Sequence, residues 1–151
     1  MGSNPAYIDA LRMLARRELS EAQVRQRLAR KEHDDNDIDE AIARLKEERA
    51  IDDNRVAEAI ARSETSIRKR GRMRVKQKIQ SAGIASATAK QAIDGVFEAI
   101  DSDQLLESAL AKRLKHGKTI EDDREFNRLY RYLVGQGFES DRVITLLRSR
   151  K

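Results

Sequence analysis

The feature that most constrains the fold of this 151-residue sequence is an apolar pattern that occurs three times. Three anchor residues, Leu28, Ile79 and Leu133, are separated by 51 and 54 positions. Each anchor has apolar residues four positions before it and ten and fourteen positions after it, namely Val24, Ile38 and Ile42, then Val75, Ala89 and Ile93, then Leu129, Val143 and Leu147. A spacing of four places two side chains on one helix face. Each copy therefore predicts two packed helices.

The turn between these two helices also has recurring residue types at fixed distances from the anchors. Gly83 and Gly137 lie four residues after their anchors, where glycine can adopt the left-handed conformation that ends a helix. The first copy departs from this rule, because Glu32 stands at that position. Seven positions after the anchors stand residues that favour the N-cap of a helix, which are Asp35, Ser86 and Ser140.

Another helix precedes each pair. We predict that these helices begin near Pro5, near Asp52 and after Ser102, and that the first ends near Arg17. Their expected inward residues are Leu11 and Leu14, then Val56 and Ile60, then Leu106, Leu110 and Leu114. Ser20 and Gln23 form a plausible capping box. The predicted fold is all-α, an elongated curved array of three tandem three-helix repeats at residues 1–51, 52–101 and 102–151.

Composition supports this class and excludes others. Only one proline interrupts a chain rich in helix-favouring residues, which argues against a sheet-rich fold. The absence of cysteine excludes disulfides and cysteine-ligated metals. No apolar run approaches the roughly 20 residues that span a bilayer, and the first residues lack the apolar stretch of a secretory signal. We expect a cytoplasmic monomer.

A basic segment in the second repeat is the main candidate for binding. It has seven basic residues in eleven and no acidic one: Arg68, Lys69, Arg70, Arg72, Arg74, Lys76 and Lys78. It is either a solvated helix face or a surface for phosphates or for an acidic protein. No aromatic residue lies within it for base stacking, so weak, salt-sensitive contact with the backbone of single- or double-stranded DNA is expected.

A second group of basic residues, predicted at the end of the seventh helix, can extend this surface: Lys112, Arg113, Lys115 and Lys118. Favourable interaction with the helix dipole is the alternative explanation. The three repeats carry net charges of −1, +3 and +3. We therefore expect binding to concentrate in the second and third repeats, with the first contributing reach or partner selectivity.

The sequence contains no recognisable catalytic or cofactor-binding motif. Acidic residues surround His33 between Glu32 and Glu40, but a solvated turn and helix start explain them better than a metal site does. Asp52 is likewise better explained as a helix cap than as a ligand. We expect no catalytic residue, no metal and no cofactor, and hence a protein that binds rather than an enzyme.

Short motifs in this order resemble those of the RecX family, regulators of the RecA recombinase. Residues 50–57, AIDDNRVA, are similar to the family's G-I-D-D-x-R-F/Y-A. Residues 70–75 and 78–84, RGRMRV and KIQSAGI, resemble R-G-P-x-R-I and E-L-x-x-K-G-I, and residues 136–141, QGFESD, match R-G-F-x-x-D. Residues 11–32 resemble the family's first repeat. The chain departs from these motifs at Ala50, Val56, Arg72 and Glu32, which replace glycine, an aromatic residue, proline and glycine.

The resemblance implies a specific function. It implies binding to RecA filaments on single-stranded DNA, and mainly inhibition, with effects on ATPase, strand exchange and coprotease activity in recombination, DNA repair and the SOS response. Two alternatives follow from the residues themselves. One is an autonomous helical DNA- or RNA-binding protein, and the other is an adaptor for an acidic protein partner.

Overall fold

The computed structural model describes residues 3–151, and over that range it contains nine α-helices and no strand. The helices are α1 (Pro5–Arg16), α2 (Glu21–Arg30), α3 (Asp35–Glu47), α4 (Asp53–Ser66), α5 (Arg72–Ser81), α6 (Ser86–Glu98), α7 (Ser102–Ala111), α8 (Asp123–Gly135) and α9 (Ser140–Arg148). This architecture confirms the all-helical tandem fold that the repeated pattern predicts.

The helices pack as three triplets, α1–α3, α4–α6 and α7–α9, each around its own apolar cluster. All twelve residues of the repeated pattern are buried, with at most 3% of their surface exposed. The separation between clusters is incomplete, because Leu105 of α7 packs into the cluster of the second triplet and Phe138 touches both the second and the third. We keep 1–51, 52–101 and 102–151 as proposed repeat boundaries.

The turn inside each triplet has the left-handed residue that the pattern predicts. The backbone φ is 62° at Glu32, 77° at Gly83 and 99° at Gly137. In the first and third triplets, the next amide donates to the anchor carbonyl at 3.3 Å, as in a Schellman ending. Glu32 therefore adopts without glycine a conformation that costs a residue with a Cβ about 1–2 kcal/mol.

Two local predictions were wrong, one about where three helices begin and one about which residues of α1 face the core. The N-caps after these turns are Asp34, Ala85 and Glu139, so Asp35, Ser86 and Ser140 are the first helical residues instead. Leu11 does not point inward. It is 40% exposed and Leu14 is only partly buried, because α1 packs through its fully buried Ala6 and Ala10. Small side chains there let α1 approach α3 closely.

The triplets meet at two joints that use equivalent positions. In the first joint, the Ser20 hydroxyl donates to the buried Ala82 carbonyl, while Ser20 also forms the predicted capping box with Gln23. In the second joint, the Gly71 amide donates to the Gln136 carbonyl at 2.8 Å. Ser20 and Gly71 both lie eight residues before an anchor, and both acceptors lie three residues after the next anchor. Each triplet is thus attached to the next through the start of its second helix.

Candidate nucleic-acid interface

The basic segment spans the turn from α4 to α5 and most of α5. Gly71 is the N-cap of α5, and Lys69, two residues earlier, has a left-handed backbone with φ of 55°. Val75 and Ile79 are completely buried. Because these two residues face the core, the other faces of α5 are at the surface. All four basic residues of this helix are exposed, namely Arg72, Arg74, Lys76 and Lys78.

A buried acid that the sequence reasoning missed holds part of this segment in place. The Glu64 side chain is 4% exposed and its carboxylate accepts from Arg70 Nη1 at 2.8 Å. The same carboxylate lies 3.3 Å from Arg68 Nε, and the Glu64 carbonyl accepts from the Arg70 amide. The Arg70 side chain is itself only 16% exposed. It therefore stabilises the turn and is a poor candidate for contact with a ligand, contrary to the sequence-based assignment.

Arg72 is exposed but tethered to α6. Its guanidinium lies 2.6 Å from Asp94 Oδ1 and 5.1 Å from the centre of the Phe97 ring. Lys90 Nζ lies 2.7 Å from the other Asp94 oxygen. Hydrogen bonds from Lys90 and then Arg72 lower the pKa of Asp94 below its usual value. This arrangement offsets part of the positive charge at the start of α5.

Four residues of the segment have no ion-pair partner in residues 3–151: Lys69, Arg74, Lys76 and Lys78. The first is half-buried and the other three are exposed. These exposed cations can approach phosphates without first breaking an ion pair, Arg74 and Lys78 from one flank of α5 and Lys76 from the other. They form what we call the α5 surface, namely Arg74, Lys76 and Lys78.

The second predicted group begins at Lys112, the C-cap of α7, and continues into the turn that follows the helix. Lys112 does reach the basic segment, since its Nζ donates to the Arg68 carbonyl at 3.2 Å. Arg113 instead covers the Tyr132 ring at 4.5 Å. Lys115 and Lys118 are exposed in the turn that leads to α8, without an ion pair in the described part of the chain. The structure thus joins only Lys112 to the segment by a direct contact.

The acidic residues mostly serve as caps and pairs. Asp52 accepts from the amides of Asn54 and Arg55 as the N-cap of α4. His33 Nε2 lies 2.7 Å from Asp9 Oδ2, and this hydrogen bond is the main reason that the pKa of Asp9 is lowered. Within residues 3–151, no three His, Asp or Glu side chains converge as metal ligands do. Over the same range, no helix is long and apolar enough to cross a membrane.

These features define a tandem helical-repeat protein with an exposed cationic surface on its central triplet. Two family profiles match the chain: "RecX, first three-helix domain" over residues 6–45 and "RecX, second three-helix domain" over residues 52–93. The first covers α1, α2 and most of α3, and the second covers α4, α5 and more than half of α6.

Similar proteins agree with this match. The Regulatory protein RecX of Chromohalobacter salexigens is 35% identical, over 89% of this chain and 86% of its own length. That of Halorhodospira halophila is 33% identical, over 89% and 81%. The crystal structure of RecX from Lactobacillus salivarius has the same fold, with a TM-score of 0.76 at 22% identity, covering 95% of this chain and 93% of that one. The chain belongs to the RecX family of regulatory proteins.

Proposed function

We propose that this protein regulates the RecA recombinase, mainly as an inhibitor, by binding RecA filaments on single-stranded DNA. The observation that carries the proposal is the family membership, which rests on relatives named Regulatory protein RecX along 89% of the chain. The bound protein would modulate ATPase, strand exchange and coprotease activity. We place this function in the cytoplasm and assign it to a monomer without catalytic residues, metal or cofactor.

The α5 surface gives this proposal a physical basis. The side chains of this surface are all exposed on α5, namely Arg74, Lys76 and Lys78. They can therefore contact phosphates of a nucleoprotein filament through charge alone. The two joints also support the proposal, because they hold neighbouring triplets together through hydrogen bonds to backbone carbonyls. A tandem array held in this way can contact several neighbouring filament subunits at once. Once one triplet is bound, the next triplet has a high effective concentration at its own contact, which raises the overall affinity.

The decisive experiment measures the DNA-dependent ATPase of the cognate RecA with increasing amounts of this protein. We expect the rate to fall, and we expect an α5-surface variant to require more protein for the same effect. That variant carries Arg74→Gln, Lys76→Gln and Lys78→Gln.

A matched control removes three cations of the second triplet that already have carboxylate partners: Arg55→Gln, Arg62→Gln and Lys90→Gln. It has the same net charge as the α5-surface variant, so it separates local contact from total charge. We expect the control to inhibit like the wild type. An unchanged ATPase rate at saturating wild-type protein would refute the proposal.

The unpaired cations also favour a second candidate, an autonomous nucleic-acid-binding protein. Titration of single- and double-stranded DNA at several salt concentrations separates the two. Tight, sequence-dependent binding without RecA supports autonomous binding, whereas binding that vanishes at moderate salt leaves DNA as a supporting contact. Charge reversal of the α5 surface that abolishes DNA affinity but spares binding of a protein partner assigns this surface to nucleic acid, whereas loss of partner binding supports an adaptor for an acidic protein.

A further inference from the structure

We propose that the first triplet contains a second, separate binding site for nucleic-acid phosphates, in a groove between α1 and α2. The groove has a volume of about 590 Å³. Six of the eight residues that line it are basic: Arg12, Arg16, Arg17, Arg27, Arg30 and Lys31. We call it the α1–α2 groove. The proposal goes beyond regulation of RecA and does not require it.

The groove contains little negative charge of its own. Asp9 is the only acid in its lining, and its carboxylate is already occupied by His33 at 2.7 Å and by Arg12 at 3.7 Å. The other five basic residues form no ion pair within residues 3–151, and all of them except Arg27 are exposed. An anion that enters the groove therefore meets cations that are free to bind it.

Three of the four other cations of the first triplet form ion pairs with acidic residues. The net charge of the triplet therefore does not reveal the groove. Arg25 pairs with Asp39 at 2.6 Å, and Arg44 pairs with Glu48 at 2.9 Å. Lys46 lies 2.9 Å from a Glu21 oxygen. Apart from Asp9 in the lining, the acids of this triplet lie on α3, at the start of α2 and in the turns on either side of α2. A net charge of −1 over residues 1–51 is compatible with a strongly cationic site.

Helix-dipole compensation does not account for this much charge. The carboxyl ends of α1 and α2 both lie at the groove, and together they carry roughly one negative charge. Asp9 supplies one more. Six basic residues exceed this by about four positive charges, a surplus that favours a polyanionic ligand.

The lining favours a phosphate backbone over an acidic peptide. Five of its six cations are arginines, whose planar guanidinium groups bind phosphate oxygens in pairs. Met13 is the only apolar residue of the lining, so the groove lacks the apolar pockets by which proteins hold peptide side chains. No aromatic residue is present for base stacking either. We therefore infer sequence-independent contact with the backbone of single-stranded DNA.

A charge-matched pair of variants tests the site. The groove variant removes three exposed, unpaired cations through Arg16→Gln, Arg17→Gln and Arg30→Gln. The control removes three paired cations of the same triplet through Arg25→Gln, Arg44→Gln and Lys46→Gln. Both are compared with the wild type by fluorescence anisotropy of labelled oligodeoxythymidine between about 50 and 200 mM salt. Circular dichroism verifies that each variant is folded.

We expect the groove variant to bind at least about tenfold more weakly at about 0.1 M salt, with a salt slope smaller by about two, because each single-strand phosphate contact contributes roughly 0.7. The control should keep the wild-type slope. An α5-surface variant should retain salt-dependent binding through the groove. Equal slopes for the groove variant and the control would overturn the proposal.

One further comparison separates the ligand classes. If the groove variant loses affinity for polyglutamate and keeps its affinity for DNA, the phosphate assignment is wrong. The outcome is independent of the RecA proposal, because this assay contains no RecA. If the wild-type protein does not inhibit RecA but binds DNA through the groove, only the proposed function is contradicted. If it inhibits RecA but the groove variant binds DNA like the control, only the groove proposal is contradicted.

Discussion

Alanine at Gly137 would separate the second and third triplets, because there is no room for a side chain at that point. A Cβ there would lie 2.3 Å from the Arg74 amide nitrogen and 2.5 Å from the Arg74 Cβ. Backbone atoms cannot swing aside as the end of a long side chain can. The residue also has a φ of 99°, which disfavours any residue with a Cβ.

Two further glycines separate these effects. Gly117 has a φ of 82° but no atom within 4 Å of its would-be Cβ, so alanine there meets only the backbone penalty. Gly71 has an ordinary φ of −85°, but its Cβ would lie 2.6 Å from the Gly137 carbonyl carbon. Alanine at Gly71 therefore meets only the steric penalty, and alanine at Gly137 meets both.

The expected magnitudes follow from these contacts. Gly117→Ala should cost about 1 kcal/mol, because the left-handed penalty of about 1–2 kcal/mol is partly offset by a stiffer unfolded chain. Gly137→Ala also strains the hydrogen bonds from Gly71 N to Gln136 O at 2.8 Å and from Met73 N to Gly137 O at 3.1 Å. Each is worth about 1 kcal/mol. We therefore expect a loss of about 3 kcal/mol.

Urea unfolding followed by far-ultraviolet circular dichroism measures these differences. In a repeat array, stability is approximately the sum of unit and interface contributions. Gly137→Ala and Gly71→Ala should therefore unfold in two phases, with the third triplet unfolding first. Gly117→Ala should keep the wild-type shape with a small shift of the midpoint. If Gly137→Ala costs no more than Gly117→Ala, the reasoning about a tight joint is refuted.

Three other predictions concern buried or paired polar groups. Glu64→Ala leaves the largely buried Arg70 without its carboxylate and should cost roughly 3 kcal/mol in urea unfolding, whereas a loss below about 1 kcal/mol would contradict this assignment. The lowered pKa of Asp94 stabilises the fold above the unfolded-state pKa of about 3.9, and this stabilisation is lost as the pH falls through the folded-state pKa. Asp94→Asn should therefore flatten the fall in Tm between about pH 5 and pH 2, and parallel curves would exclude such a role. Ser20→Ala removes a capping box and a joint hydrogen bond, so Tm should drop by several degrees, about 2 kcal/mol, more than for an exposed serine such as Ser149.

Much of the fold could be predicted because the local spacing of apolar residues indicates which helix faces are buried. Val24 and Leu28, one turn apart, identify a buried helix face without any knowledge of neighbouring helices. Leu11 shows where this method ends. The first helix has apolar residues on more than one face, and only the packing of α1 against α3 decides that Ala10 is buried and Leu11 is not.

The basic residues of the candidate site could be predicted from the sequence, but their ion-pair partners could not. A run of cations is visible in the sequence, whereas the partner of Arg72 is Asp94, 22 residues away on another helix. The α1–α2 groove was missed for a related reason. Its cations come from two helices, and counting charge over residues 1–51 averages them with the acids of α3. The signal in the sequence is the spacing of Arg27, Arg30 and Lys31, which are three and four positions apart. This spacing predicts a cationic face at the end of α2 and could have identified the groove.

Glu32 has a consequence for whether a second copy can dock on the first triplet. At both joints, the preceding triplet approaches a turn whose left-handed residue is a glycine, Gly83 or Gly137. Glu32 holds the corresponding place in the first triplet, and its side chain is exposed. A second copy that docked its third triplet here would have to bury that carboxylate without a partner. An exposed carboxylate at this position therefore disfavours head-to-tail docking of a second copy, which is a hazard of open repeat arrays.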